Sequence, residues 1–315
     1  MITTVAELLD ASRDEREATW ALPTRRVRRV YERRLARLFG DRPIGDVTTR
    51  DVDGLYRLLL AGDDHERALA AGTVQLHHQL LRQAFAYAEH AGMIAKSPVS
   101  AARSPRRRVD VRIGLDRSAL KAFVAEIPPT CTLGMYARIA MLTGATRGEI
   151  TALQWRHVDL DARTIRFEQR LADSGSDDRT PHRAPAHTRR TISISISITL
   201  TQLLERWLDA SGSPRHPEAF VLSPTEDGRT PYRPASLTTS WRSWRQHRGN
   251  GRYQHLELRD TTRFAVLELI ASEVPVTHAA AHLGHISALT LVLRYSHATP
   301  PHDEQAVTVL AGLLD

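Results

Sequence analysis

Apolar and polar positions alternate along the first hundred residues with the period of short amphipathic helices. Thr24 is a plausible N-cap, and apolar side chains then recur at helical spacing at Val27, Tyr31, Leu35 and Leu38. The other faces carry seven arginines: Arg25, Arg26, Arg28, Arg29, Arg33, Arg34 and Arg37. The pattern predicts a helix with one apolar side turned inward and a strongly basic remainder.

Two more helices are predicted before residue 100. Thr48 and Asp51 lie three apart, like an acidic variant of a capping box, and apolar positions follow at Val52, Leu55, Tyr56 and Leu59. A third helix is predicted to start near Thr73 and to end near Gly92, a residue typical of helix C-termini. Its predicted inward positions are Leu76, Leu80, Leu81, Ala84, Phe85 and Ala88.

A basic, irregular segment follows Pro98. Residues 101–108 show no apolar periodicity and contain four arginines: Arg103, Arg106, Arg107 and Arg108. This composition is typical of a linker. Either the segment lies against a polyanion or it is a charge run facing solvent, and the sequence favours neither.

From Leu115 the pattern predicts a larger domain that mixes helices with short strands. Helices are predicted over residues 136–142, 203–208, 262–271, 277–283 and 304–314. A turn over 159–164 precedes a short strand over 165–167, and the polar residues 173–188, with glycine and proline, indicate a loop. Residues 191–199 alternate strictly, with Ile192, Ile194, Ile196 and Ile198 on one face, which predicts a strand.

Composition narrows the class of partner. The chain has 315 residues, which fits about two domains, a formal net charge of +7 and a single cysteine, Cys131. Lys96 and Lys121 are its only lysines, and guanidinium forks suit phosphate oxygens, so the arginine excess indicates a polyanion. A GC-rich genome would produce the same bias.

The chain carries no pattern of a secreted or membrane protein. Its N-terminus lacks the basic-then-apolar layout of a signal peptide, and no apolar run approaches the roughly 20 residues of a membrane helix. With one cysteine, no internal disulfide is possible. We therefore expect a soluble cytoplasmic protein, associated with the nucleoid if its polyanion is DNA.

Several segments resemble the tyrosine site-specific recombinases, or phage-type integrases, in the order in which that family has them. Residues 40–48 and 92–99 look like the loop, helix start and exit of the family's core-binding domain. Residues 142–149, Leu-Thr-Gly-Ala-Thr-Arg-Gly-Glu, resemble its first-arginine motif, and residues 258–261, Leu-Arg-Asp-Thr, its second-arginine box. Leu283-Gly284-His285 followed by Tyr295-Ser296-His297 resembles its nucleophile box. Each segment is weak alone, but together they span the chain.

The resemblance implies a mainly α protein with a small β-sheet. We expect an N-terminal helical core-binding (SAM-like) domain over residues 1–100, a basic linker over 101–112 and a C-terminal mixed α/β catalytic-type domain over 113–315. The two domains are expected to close as a C-shaped clamp around double-stranded DNA, with no separate arm-binding domain ahead of residue 1. Members of the family use neither a metal nor a cofactor, and we expect none here.

The same resemblance assigns catalytic roles. It places Tyr295 at the nucleophile that attacks a backbone phosphate, Arg259 at the second phosphate-bracing arginine, and His285 at the position of a histidine or tryptophan that steadies the transition state. Taken alone, Tyr295 would be read as an ordinary half-buried tyrosine and Arg259 as a member of a surface ion pair.

The first-arginine motif departs from the family pattern. Thr146 stands where the family has arginine, and Arg147 comes one residue later, a turn of about 100° on a helix. Thr146 and Glu149 have capping-box spacing, which predicts that a helix simply begins there. Arg147 would then have to reach a phosphate from the helix N-terminus.

Two other positions also depart. Leu256 stands where the family has histidine, with His255 one place early, and Asp260 after Arg259 adds negative charge near the expected phosphate. The hairpin that carries the family's lysine has none; the nearby ionisable residues are His182, Arg183 and His187. A histidine can donate a proton there, whereas an arginine is a poor donor.

Two functions therefore stay open from the sequence. The first is an active recombinase or integrase that uses Tyr295, Arg259 and His285, with Arg147 or His255 acting off register. The second is a recombinase-derived DNA-binding regulator or architectural protein that no longer cuts. In either case the expected DNA contacts are Arg25, Arg26, Arg29, Arg33, Arg106, Arg107, Arg108 and Arg183.

Three smaller features carry alternatives. The helix over residues 304–314 either docks on a neighbouring protomer, as the family's C-terminal segment often does, or packs on its own domain. Trp241 and Trp244, interleaved with arginines, indicate either nucleic-acid contact or helix packing. His278, His282 and His285 have the spacing of metal ligands, but no carboxylate completes a zinc set, so we expect no metal.

Overall fold

The computed structural model describes residues 2–20, 22–62, 67–105, 115–173, 182–185, 194–210, 216–248 and 251–284. It divides into two compact units, Met1–Arg112 and Ile113–Asp315. The described part is mostly helical with short strands, which confirms the expected fold class. No helix in it is long and apolar enough to cross a membrane.

The first unit is a helical bundle. It contains α1 (Val5–Arg16), a short 3₁₀ turn (Glu17–Thr19), α2 (Leu22–Phe39), α3 (Thr49–Ala61) and α4 (Ala71–His90). The predicted capping box at Thr48 and Asp51 is present, and Thr4 and Glu7 form a second one at the start of α1. The core is assembled from apolar side chains of all four helices, among them Leu8, Leu35, Val52, Leu81 and Phe85.

Three details of the first unit differ from the sequence prediction. Helix α2 begins at Leu22, so Thr24 lies inside the helix and is not its N-cap. Pro23 fits a first helical turn, where its missing N–H has no partner to lose. Val27 and Leu76 are exposed rather than inward. At about 100° per residue, Val27 points about 80° away from buried Leu35.

The second unit packs seven helices around a small β-structure in its described part. The helices are α5 (Arg117–Glu126), α6 (Thr132–Thr143), α7 (Arg147–Thr151), α8 (Ile198–Ala210), α9 (Pro234–Arg248), α10 (Asp260–Ala271) and α11 (Val276–His282). Helix α6 is almost wholly buried, since its side chains from Leu133 to Ala140 face the core on several sides. Phe123 of α5 meets Trp241 of α9 edge to face at 4.8 Å between ring centroids.

The strands form two antiparallel groups. Strands β1 (Val158–Asp159), β2 (Thr164–Ile165) and β5 (Ile194–Ser195) make a sheet in the order β1-β2-β5. Strands β3 (Gln169–Ala172) and β4 (His182–Pro185) pair separately, with Ala172 opposite His182. Residues 182–185, predicted as loop, are therefore a strand, because their partner β3 supplies the hydrogen bonds that the local sequence does not advertise.

The strand predicted over residues 191–199 is mostly wrong within the described residues. Only Ile194 and Ser195 are a strand, although Ile194 and Ile196 are buried as the alternation predicted. Ile198 begins α8 and is exposed, because Leu200, Leu204 and Trp207 already follow the helical period and turn inward. Residues 191–193 and the helix predicted over 304–314 lie outside the described residues.

Candidate functional site

Helix α7 begins where the sequence predicted. Thr146 is the N-cap, and its Oγ1 accepts a hydrogen bond from the Glu149 N–H. The Glu149 carboxylate in turn accepts from the Thr146 N–H at 2.8 Å and from the Thr146 hydroxyl at 2.7 Å. The side chain at position 146 therefore closes the helix, which confirms the capping box.

Arg147, one residue later, is held inside the protein's own network. Its guanidinium donates a short hydrogen bond to the Thr238 hydroxyl of α9 and lies 3.6 Å from the Asp173 carboxylate at the end of β3. The other Asp173 oxygen accepts the Ala235 N–H at 3.1 Å, in the first turn of α9. Because the Arg147 side chain is still 41% exposed, the network holds the guanidinium without burying it.

Arg259 stands at the N-cap of α10, where the helix dipole favours an anion. Its Nε lies 2.8 Å from the Glu257 carboxylate, and 58% of its side chain is exposed. The neighbouring Asp260 is buried, accepts the Glu257 N–H at 2.8 Å and lies 3.3 Å from Arg263. The negative charge expected near the phosphate is thus turned inward and paired with a cation.

The first-arginine turn and the start of α10 are joined directly. The Thr262 hydroxyl donates to the Ala145 carbonyl at 3.0 Å. The buried Tyr136 hydroxyl lies between the two segments. Its pKa is raised to about 12, because burial outweighs the lowering effects of hydrogen bonds with Thr261 and Thr262 and of the positive charge of Arg147. These contacts bring the elements that carry Arg147 and Arg259 to one place.

The start of the nucleophile box packs against the same turn. Gly144 ends α6 in the left-handed region, at φ 64°, and a Cβ there would lie 2.3 Å from a Leu283 methyl and 3.3 Å from Ala265. Only glycine combines this backbone angle with that close approach. Three segments that are distant in sequence, around Gly144, Thr261 and Leu283, therefore converge.

The β3–β4 hairpin lies beside α7. A Cβ on Gly148 would stand 2.5 Å from the Leu171 carbonyl oxygen, so helix and strand touch through backbone. Arg183 on β4 is exposed, with its guanidinium carbon 5.2 Å from the Phe220 ring centroid. His182 pairs with Ala172, and His187 lies outside the described residues.

The two candidate histidine positions before Arg259 are divided by burial. Leu256 is fully buried, and its carbonyl accepts hydrogen bonds from Trp241 Nε1 at 3.2 Å and from Arg245 at 2.8 Å. His255 is exposed.

The two tryptophans of α9 also differ in burial. Trp241 is buried and serves core packing, whereas Trp244 is half-buried with its ring 5.0 Å from Arg248.

Tyr295, His285, Arg106, Arg107 and Arg108 lie outside the described residues. Within the part of the chain that the structure describes, no group of three His, Cys, Asp or Glu side chains is arranged to hold a metal.

The predicted DNA contacts on α2 have varied surroundings. Arg25 donates to the Trp20 carbonyl at 2.9 Å, and Arg29 pairs with Glu17 at 2.7 Å. Arg33 donates to the Arg29 carbonyl at 3.3 Å, while Arg26 is exposed. Arg29, Arg33 and Arg26 thus share the outward side of α2, and Arg25 turns toward the preceding loop.

Sequence reasoning missed Asp173, Thr238 and Tyr136 as parts of this site. Asp173 stands in the polar segment read as a loop, and Thr238 follows a helix start that carried no recognised motif. Their link to Arg147 depends on how β3 and α9 pack on α7, which no local pattern encodes. Tyr136 was placed only as an apolar position of a helix.

Comparison with known proteins finds one family. The phage integrase family model matches residues 116–302. The tyrosine recombinase XerC of Xanthomonas campestris pv. campestris (strain B100) is 30% identical over 159 residues, which is 47% of this chain and 48% of that protein. XerC of Xanthomonas axonopodis pv. citri (strain 306) is 28% identical over 137 residues, 41% of this chain and 45% of that protein. The chain thus matches about half the length of these curated relatives.

Solved structures match the fold over most of the chain. An integrase of the Tn1549 transposon in complex with transposon right end DNA superposes with a TM-score of 0.81 at 16% identity, covering 98% of this chain and 99% of that one. A lambda integrase dimer bound to a COC' core site matches with a TM-score of 0.62 at 18% identity, over 91% of this chain and 77% of that one. With the family model matching more than half of its residues, the chain belongs to the phage integrase family of tyrosine recombinases.

Proposed function

We propose that this protein is a DNA-binding tyrosine recombinase that cuts and rejoins double-stranded DNA. The observation that carries the proposal is the convergence of the three motif segments around Gly144, Thr261 and Leu283. Packing alone would not require the segments that resemble the arginine and nucleophile boxes to meet. Family membership supplies the reaction class to which such a meeting belongs.

The proposed reaction is a transfer of a phosphoryl group without metal or cofactor. The Tyr295 hydroxyl gives its proton to a histidine base as its oxygen attacks a backbone phosphate and forms a 3′-phosphotyrosine bond. The 5′ oxygen leaves and takes up a proton. A 5′ hydroxyl from a second DNA end then attacks that bond and frees the tyrosine. Arg259 braces the non-bridging oxygens, and His285 steadies the charge that develops on them.

Arg259 suits this role because its present partner is weak. The pair with Glu257 is exposed, and exposed ion pairs are worth about 0–1 kcal/mol. A DNA phosphodiester carries the same single negative charge as a carboxylate and would meet the guanidinium at the positive end of α10. Exchange of Glu257 for a DNA phosphate is therefore inexpensive.

Arg147 is proposed as the other bracing arginine, acting one residue away from the family's first-arginine position. It must exchange Asp173 for the phosphate while Thr238 keeps the guanidinium oriented. His255, exposed before Arg259, is the proposed off-register histidine. His182 and His187 are the proton donors that the hairpin offers in place of the family's lysine.

The proposed partner is double-stranded DNA, and the proposed assembly is a multimer on it. The Tn1549 and lambda integrase structures are complexes with DNA, and lambda integrase is seen as a dimer and as a tetramer on a Holliday junction. The proposed DNA contacts of this chain are Arg25, Arg26, Arg29, Arg33, Arg106, Arg107, Arg108 and Arg183. Self-association through residues 304–314 and location with the nucleoid belong to the same proposal.

A covalent-trapping experiment tests the chemistry. The full chain is incubated with duplexes cut from the DNA that flanks its own reading frame, each nicked so that the released 5′ fragment diffuses away. We expect an SDS-stable protein–DNA adduct from the wild type, none from Tyr295→Phe, and an unchanged adduct from the matched control Tyr232→Phe. Salt-sensitive duplex binding without any wild-type adduct would overturn the cleavage proposal and support a DNA-binding regulator instead.

A further inference from the structure

Helix α2 presents two exposed aliphatic side chains on its basic side. Val30 is 45% exposed and Val27 is 48% exposed, on a helix that carries seven arginines. Scattered exposed valines are ordinary on protein surfaces, so exposure alone carries no conclusion. Their position among the arginines is what sets them apart.

Val30 stands at the centre of an outward arginine cluster. Arg26, Arg33 and Arg37 lie four before, three after and seven after it, which are the neighbouring positions on a helix surface. All three are exposed. The surface around Val30 is therefore cationic with an aliphatic centre.

The opposite side of α2 fixes this orientation. Leu35 and Phe39 are buried in the core, and Arg28 stacks over the Trp20 ring at 4.0 Å and donates to Gln83 of α4 at 2.8 Å. The only acidic residue of the helix, Glu32, is buried and lies 3.6 Å from Arg13 of α1. The outward side therefore carries no carboxylate from α2 itself.

A cationic helix face with a short apolar centre is chemically complementary to the major groove of a DNA duplex. Arginines meet the phosphates that line the groove, and an apolar side chain at the centre meets the 5-methyl group of thymine, which only A·T pairs display there. Valine is stiff at χ1, so it loses little rotamer freedom on contact. A helix of this diameter also fits a groove about 12 Å wide.

We propose that Val30, assisted by Val27, reads thymine methyl groups in the major groove while Arg26, Arg33 and Arg37 hold the flanking phosphates. This inference rests on the proposed DNA-binding function and adds a sequence preference to it. It assigns specificity to aliphatic contact, and affinity to the arginines.

The test uses a pool of 30-base-pair duplexes with a randomised centre, from which the full wild-type chain selects its bound sequences. The selected duplexes are made again with deoxyuridine in place of thymidine, which removes only the methyl groups. We expect the wild type to lose about fourfold in affinity per contacted methyl, which corresponds to about 0.8 kcal/mol. Val30→Ala is expected to bring the thymine-to-uracil ratio of affinities toward one while leaving the salt dependence of binding unchanged.

Controls separate this inference from the function on which it rests. Leu60→Ser changes an exposed aliphatic side chain of α3 in the same unit and is expected to keep the wild-type ratio. A wild-type ratio of one, or a ratio that Val30→Ala and Val27→Ala leave unchanged, would overturn the thymine assignment while DNA binding stands. Failure of the wild type to select any duplex would instead overturn the DNA-binding proposal, and the thymine assignment with it.

Discussion

Replacing Asp173 by asparagine tests whether the Asp173 carboxylate competes with DNA for the Arg147 guanidinium. The Asp173 carboxylate lies 3.6 Å from the Arg147 guanidinium, and its other oxygen accepts the Ala235 N–H of α9. Asparagine keeps an oxygen that can accept the Ala235 N–H and removes only the charge. If the carboxylate holds Arg147 back from DNA, the variant must bind DNA more tightly than the wild type.

The size of the gain follows from the geometry of the pair. Two unit charges 3.6 Å apart attract by about 1.2 kcal/mol in water and by about 4.6 kcal/mol at an effective dielectric constant near 20. Both side chains are partly exposed, 41% for Arg147 and 26% for Asp173, so the pair lies near the aqueous limit and contributes about 1 kcal/mol or less. The expected gain in DNA affinity is therefore about twofold to fivefold.

A double-mutant cycle distinguishes the release of Arg147 from a general decrease in charge repulsion between the protein and DNA. Affinity for a fixed 30-base-pair duplex is measured by fluorescence anisotropy at several salt concentrations for the wild type, Asp173→Asn, Arg147→Ala and the double variant. Loss of a carboxylate improves DNA binding somewhat in any background, but the gain through Arg147 exists only where Arg147 is present. We expect Asp173→Asn to gain less than half as much in the Arg147→Ala background.

A matched charge removal completes the design. Asp161→Asn removes an exposed carboxylate from the turn between β1 and β2 in the same unit and controls for net charge. Equal gains from Asp173→Asn with and without Arg147 would refute the competition, and so would a gain from Asp161→Asn as large as that from Asp173→Asn.

Three further predictions concern stability. Thr146→Ala removes the N-cap of α7 and its bonds to buried Glu149, and should lower the free energy of unfolding in urea by about 1–2 kcal/mol, whereas Thr146→Ser should retain most of it; equal stability of the two variants would contradict the capping role. Gly148→Ala places a methyl 2.5 Å from the Leu171 carbonyl and should cost about 1–3 kcal/mol, while Gly54→Ala in α3, with nothing closer than 3.8 Å, should stabilise by about 0.5–1 kcal/mol; a harmless Gly148→Ala would disprove the close contact. Burial lowers the pKa of His157 below its ordinary 6.5 despite the nearby Glu168. The contribution of His157 to stability is therefore present above pH 6.5 and is lost as the pH falls through the folded-state pKa. Urea titrations should show that His157→Gln loses less stability on acidification than the wild type, and parallel losses would refute this.

Sequence patterns located those features of the fold that depend on near neighbours. The capping boxes at Thr48 and Thr146 and the stop at Gly92 are present because each uses groups within four residues of one another. The helical period also placed Val52, Leu55 and Leu59 correctly in the core of the first unit. Family resemblance, not pattern, supplied the motif segments that the fold then brings together.

Features that depend on partners distant in sequence were not predicted. Strand β4 reads as polar loop because its pairing partner β3 lies on the other side of the hairpin. Ile198 fits the alternation of a strand and equally the first turn of α8, and Leu200 and Leu204 decide in favour of the helix by packing into the core. Asp173 carried no signal at all, since its meaning lies in its distance from Arg147.

The use of position 146 as a cap explains why Arg147 has partners of its own. Gly144 must turn α6 under Leu283 in a left-handed conformation, and α7, only five residues long, needs Thr146 and Glu149 to satisfy its first N–H groups. An arginine at position 146 would remove that cap. An arginine at position 147 leaves the cap in place, and its guanidinium then needs partners that orient it. Thr238 and Asp173 do so, and they make access of Arg147 to a phosphate depend on an exchange of partners. In the proposed reaction, bracing of the phosphate by Arg147 is thereby coupled to the contact between β3, α7 and α9, so a variant that loosens that contact should change cleavage more than it changes binding.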